Sequence, residues 1–106
     1  MSPVDPTSRR WLLVSKHGLA LLQLARKPTS SAREVADAIG LGERQAQRLL
    51  RDLLDADYVR KRQVGRRNEY QLVENARMRH PMLAHVAVKP LLDVLLDNLE
   101  AAEPKH

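Results

Sequence analysis

Ser31-Ala32-Arg33-Glu34 sets the strongest local constraint on the fold. Its spacing is that of a capping box, in which the serine and the glutamate each satisfy a free backbone donor at a helix start. Val35, Ala36 and Ile39 then line one face until Gly40, which permits the left-handed backbone of a helix end. After Gly40-Leu41-Gly42 a further helix is expected over about residues 43–56, with Ala46, Leu49, Leu50 and Leu53 at helical spacing on its buried side. Its other face presents Arg44, Gln45, Gln47, Arg48 and Arg51. Asp57 falls where helices often end in glycine, and aspartate tolerates that conformation better than most residues.

The flanking segments complete the order. Upstream, Leu19, Leu22 and Ala25, with Leu21 and Leu24 beside them, make a largely apolar helix from about His17 that stops near Lys27, ahead of Pro28. Downstream, residues 58–64 and 69–73 are β-prone runs joined by Gly65-Arg66-Arg67-Asn68, whose glycine and asparagine suit a tight turn. A hairpin with a basic tip follows over about residues 58–73. Beyond a polar link containing Pro81, Pro90 suits the first position of a last helix, PLLDVLLDNLEAA. Leu91, Leu92, Leu95, Leu96 and Leu99 form a stripe on that helix, and a second copy of the chain is its simplest cover, the alternative being that it packs back on its own domain. Trp11, in a chain with no phenylalanine, is expected as a core or dimer-interface anchor. Residues 1–10 read as a disordered lead-in and 103–106 as a tail. Residues 11–74 form one unit, and 75–102 a linker with a dimerisation helix. The fold class is mainly α with a small β-hairpin.

Charge narrows the function. Lysine and arginine number 18 against 13 aspartate and glutamate, a net +5. Residues 44–67 hold eight of the basic side chains against three acidic ones, which is the whole of that excess. A segment of this kind is the electrostatic footprint of a polyanion-binding surface, since clustered guanidinium and ammonium groups release counterions from phosphates. The chain has no cysteine, which removes disulfides, thiolate zinc sites and cysteine nucleophiles. At 106 residues it is about one domain, and no apolar run approaches the ~20 residues of a membrane span. The segment MSPVDPTSRR lacks the apolar stretch of a signal peptide, so a soluble protein at a cytoplasmic address is expected. There is no Ser-His-Asp pattern and no phosphate-binding glycine loop, so neither an enzyme nor a cofactor is expected. His17, His80 and His85 lack the spacing of a metal site, and Asp93, Asp97 and Glu100 read as the solvated face of the last helix.

Helix, short capped helix, glycine turn, third helix and basic hairpin is the order of a winged helix-turn-helix with a C-terminal dimerisation helix. In such motifs the second helix enters the major groove with its N-terminal residues toward base edges, and arginine and glutamine are suited to bidentate contacts with guanine and adenine. REVADAIGLGERQAQRLLRDLLDADYVRKRQVGRRNEYQL resembles the motif, recognition helix and wing of small prokaryotic winged-helix regulators related to the MarR-like and ArsR-like repressors. RHPMLAHVAVKPLLDVL resembles the tail that follows the wing, and the resemblance covers roughly residues 11–96. It implies binding of double-stranded DNA as a homodimer, with Arg44, Gln45, Gln47 and Arg48 at recognition-helix positions and Arg62, Arg66, Arg67 and Asn68 in the wing. Asp57 departs from the glycine usual at its position, and the tail is short. A cleft between the N-terminal and leucine helices of a dimer would have room for a small apolar effector, although no convergent polar groups mark one. Two competing readings are a winged-helix scaffold that binds another protein through the leucine-rich helix, and a binder of structured RNA. The lack of aromatics for stacking on splayed bases counts against sequence-specific recognition of single-stranded RNA.

Overall fold

The structure, a computed structural model, describes residues 14–102, with side chains through residue 99. Three helices come first: α1 (Lys16–Arg26), α2 (Ala32–Ile39) and α3 (Glu43–Asp55). The hairpin of β1 (Val59–Val64) and β2 (Arg67–Leu72) follows, then a single 3-10 turn (Pro81–Leu83) and α4 (Val88–Ala102). The expected lead-in over 1–10, Trp11 and the tail over 103–106 lie outside the described residues.

Local residues account for the starts of α1 and α2 and for the ends of α2 and α3. Ser15 caps α1 by accepting the Gly18 amide at 3.1 Å. The capping box of α2 is formed as read: Ser31 Oγ accepts the Glu34 amide at 3.2 Å, and Glu34 Oε1 accepts the Ser31 amide at 2.9 Å. Gly40, at φ 75°, closes that helix. At the end of α3 the Tyr58 amide donates to the Leu53 carbonyl at 2.9 Å and the Asp57 amide to that of Leu54 at 3.0 Å, with Asp57 at φ 62°. This is a Schellman motif with aspartate in the left-handed position, so the helix ends cleanly without the glycine.

The hairpin is antiparallel, in register from Val59 opposite Leu72 to Val64 opposite Arg67. Only Gly65 and Arg66 are left to the turn; Arg67 and Asn68, turn-like by residue type, both belong to β2. Positive φ occurs at Gly65 (62°) and not at Arg66, the glycine-first pattern of a tight hairpin turn. The Tyr70 amide also donates to the carbonyl of buried Ser30 at 2.8 Å, which fastens the hairpin to the α1–α2 connection. The link after the hairpin is more ordered than its polar composition implies. The Val88 amide reaches the Ala76 carbonyl at 2.8 Å and the Met78 amide that of Val86 at 3.0 Å, around the 3-10 turn that His80 caps. As a result α4 starts at Val88, and Pro90 is its third residue, not its first. The position is permitted because first-turn amides have no intrahelical partner.

One core joins these elements. Leu24 from α1, Val35 from α2, Leu50 and Leu53 from α3, Val59 and Tyr70 from the hairpin, and Val88 and Leu92 from α4 meet in it. Burying each large aliphatic side chain contributes roughly 1.5–3 kcal/mol. The leucine stripe on α4 therefore divides. Leu92, expected on a surface covered by a second copy, is 3% exposed within its own chain, whereas Leu91 (45%) and Leu99 (37%) face outward. Leu95 and Leu96 are half-buried, and Val94, at 57%, adds to the outward face.

Candidate nucleic-acid interface

Helix α3 turns Ala46, Leu49, Leu50 and Leu53 into the core, which forces Arg44, Gln45, Gln47, Arg48 and Arg51 outward, all of them exposed. Four of these, Arg44, Gln47, Arg48 and Arg51, line a groove of about 540 Å³ whose opposite wall is the wing, through Lys61 and Asn68. Gln45 is exposed on the same helix but does not line the groove. The alternation of a strand explains the wing's part in it. Val59 points into the core, so Lys61, two residues on, shares that side, with Tyr70 opposite it and Asn68 opposite Gln63. Lys61 counted toward the basic segment without being singled out; the two-residue period from Val59 is the signal that identifies it. Arg62 falls on the other side of the hairpin, opposite Glu69. Arg66 stands exposed at the tip and, with Arg33, Glu43 and Gln47, lines a second hollow of about 420 Å³ between the wing and the start of α3.

Arg67 is engaged differently. Its Nη2 donates to Glu34 Oε1 at 2.8 Å and lies 3.6 Å from Glu69 Oε2. Glu34 also pairs with Lys27 Nζ. The lysine hydrogen bond, followed by the Ser31 backbone amide, holds the Glu34 carboxyl well below the usual carboxylate range, at about 2. On the flank of α3, Asp52 Oδ2 meets His17 Nε2 at 2.8 Å and ties α3 to α1.

The remaining hollows carry other chemistry. One of about 590 Å³ lies beyond the C-terminus of α3, bordered by Tyr58, Arg60, Arg77 and Arg79, and Arg79 donates to the Ala56 carbonyl at 3.4 Å. Another, of about 330 Å³, opens between α1, the base of the hairpin and α4, with Lys89 and Asp93 on its rim. His17, His80 and His85 are far apart in role: His17 bonds Asp52, His80 Nδ1 accepts the Met82 amide, and the His85 carbonyl accepts from Arg77. Among the described residues no group of three or more histidine and carboxylate side chains is placed to hold a metal ion, and no helix is long and apolar enough to cross a membrane.

These elements, in this order and shape, make the protein a winged helix-turn-helix. No protein-family model matches the sequence, and comparison with curated proteins finds no match. Solved structures do resemble it. A MarR protein from Peptoclostridium difficile is 11% identical with a TM-score of 0.60, over 83% of this chain and 52% of that one. Mb0332 from Mycobacterium bovis, described as a homodimeric winged helix-turn-helix DNA-binding domain of a possible ArsR-family regulator, is 21% identical with a TM-score of 0.54, over 89% and 81%. A mutant of MepR from S. aureus bound to an oligodeoxyribonucleotide is 17% identical with a TM-score of 0.54, over 86% and 66%. The chain thus spans about half of the length of the MarR structure and about two thirds of that of MepR. At such identities the likeness is one of fold.

Proposed function

We propose that the protein is a sequence-specific, double-stranded DNA-binding transcriptional regulator that works in the cytoplasm as a homodimer. In this reading α3 enters the major groove and the wing lies on flanking DNA. The observation that carries it is the groove between α3 and the wing, where Arg44, Arg48, Arg51 and Lys61 converge with Gln47 and Asn68. Cations supply affinity for phosphates, while arginine and glutamine near the start of the helix suit readout of base edges. The mutant MepR bound to an oligodeoxyribonucleotide shares this fold, as does homodimeric Mb0332. For a twofold dimer the two recognition helices would read half-sites about 34–36 Å apart.

The test is selection of sites from a random duplex library, with purified protein, near-physiological salt and excess competitor DNA. The expected result is enrichment of an inverted repeat. Binding of that site should weaken with salt, with a log–log slope of about −0.9 per phosphate neutralised. Failure to bind any duplex would overturn the reading and leave the scaffold, in which the outward face of α4 docks another protein.

A further inference from the structure

We infer that Glu34 is a positioning residue for DNA binding: it grips Arg67 and so holds the wing at a set angle to α2 and α3, and Arg67 serves that pairing and is not a phosphate ligand. The inference rests on the DNA-binding reading above and assigns a role to an acidic residue within it. Glu34 is well placed to grip. Its Oε1 already accepts the Ser31 amide in the capping box, which fixes the side chain against the helix start, and the same oxygen takes Arg67 Nη2 at 2.8 Å. Lys27 sits on the other oxygen. Arg67 is the first residue of β2, directly after the turn that carries Arg66.

A two-stranded hairpin alone is marginally stable in water, so its orientation depends on what fastens it to the helices. The bond from the Tyr70 amide to Ser30 does this at the base, and the Glu34–Arg67 pair does it near the tip. Asn68 lies between these two points and Lys61 sits directly across from Tyr70; these are the wing residues that wall the groove.

The sign of the expected effect separates positioning from simple electrostatics. Glu34 is an anion beside a surface meant for phosphates, so removing its charge should strengthen DNA binding if its field were all that mattered. If it positions the wing, binding weakens. Glu34→Gln is the informative change, because glutamine still accepts the Ser31 amide and preserves the start of α2. Affinity for the selected site is measured across a salt series for the wild type, Glu34→Gln, Arg67→Gln and the double variant. The ¹⁵N–¹H heteronuclear NOE of Gly65 and Arg66 is recorded in the DNA-free proteins, with far-UV circular dichroism confirming unchanged helix content.

The expected outcome for Glu34→Gln is about a two- to fivefold loss of affinity, the range of an exposed ion pair, with unchanged salt slope. Arg67→Gln should add little in its presence, and the wing NOE should fall in both single variants. Equal or tighter binding by Glu34→Gln overturns the inference. So does an Arg67→Gln variant that lowers the slope by about one phosphate. A wild type that binds no duplex removes the DNA-binding reading itself, and the NOE comparison then decides separately whether the pair orders the wing.

Discussion

At the scale of single residues, Asp57 shows how a side chain can satisfy a backbone demand that another meets better. Its φ of 62° is left-handed, where most L residues cost about 1–2 kcal/mol and aspartate less. Asp57→Gly is therefore expected to range from neutral to about 1 kcal/mol stabilising, the relief being partly offset by the freedom glycine adds to the unfolded chain. Asp57→Val should cost about 1–2 kcal/mol, because a β-branched residue is a genuine outlier there. Urea denaturation midpoints check both, and a valine variant as stable as the wild type would refute the strain argument. Glu34 makes a prediction of the opposite kind, about pH. Its carboxyl is lowered from an ordinary 4.5 to about 2 by Lys27 and Ser31, so the folded state favours the ionised form. The stability it contributes is present above about pH 4.5 and is lost as pH falls toward 2. The stability difference between wild type and Glu34→Gln should accordingly shrink over that window, and a difference independent of pH there would contradict the assignment. On the proposed DNA surface, Arg48→Ala should weaken a specific site by roughly 1–3 kcal/mol while sparing random DNA, as expected of a bidentate base contact. Arg66→Ala should weaken all duplexes about equally and lower the salt slope by ~1. Equal losses on both DNAs for Arg48→Ala would move it to the backbone-contacting class.

At the scale of elements, what was legible in the residues is what local chemistry determines. The Ser31–Glu34 box, the glycine end at Gly40 and the amphipathic pattern of α3 are contained within a few neighbouring positions, and the structure has them where the pattern predicts. The hairpin turn is shorter than residue type suggests: asparagine and arginine after Gly65 look like turn residues, yet the register carries Arg67 and Asn68 into β2. Cross-strand pairing, not composition, decides where a turn ends. The start of α4 was likewise displaced, since pairing of the Val88 amide with Ala76 sets the helix entry two residues before the proline that suggested it. Distance hides the pairing of Arg67, whose partner Glu34 is 33 positions away in the chain. The turn supplies a prediction of its own. A methyl group at Gly65 would meet nothing within 4 Å, so space is available, but φ of 62° is not. Gly65→Ala should destabilise the wing by about 1 kcal/mol, and Gly65→Asn by less, because asparagine enters the left-handed region more readily. Amide exchange across the β1–β2 ladder measures this directly; equal protection in wild type and Gly65→Ala would show that the turn does not limit the hairpin.

At the scale of the whole molecule, α4 asks one helix to serve two surfaces. Leu91 and Leu92 are adjacent and chemically identical, so no reading of residue type separates them; only the packing of α1 against one side of the helix does. Leu92 is 3% exposed and Leu91 45%, and Val94 and Leu99 lie on the outward side with Leu91. A charge at position 92 must enter the core, where an unpaired carboxylate costs several kcal/mol against a total stability of about 5–15 kcal/mol for a small domain. Leu92→Glu is thus expected to leave the chain largely unfolded by circular dichroism at 37 °C. The same charge at position 91 meets solvent in an isolated chain and should leave thermal unfolding of the monomer little changed. In the proposed dimer it would be buried against a second copy. Leu91→Glu should then appear as a folded monomer in sedimentation equilibrium at concentrations where the wild type is dimeric. It should also bind an isolated half-site about as well as the wild type while losing the added affinity of the complete inverted repeat, because the two recognition helices would no longer be joined. A Leu91→Glu protein that remains dimeric would put the twofold elsewhere on the molecule, and one that unfolds like Leu92→Glu would mean that α4 has a single, wider buried face.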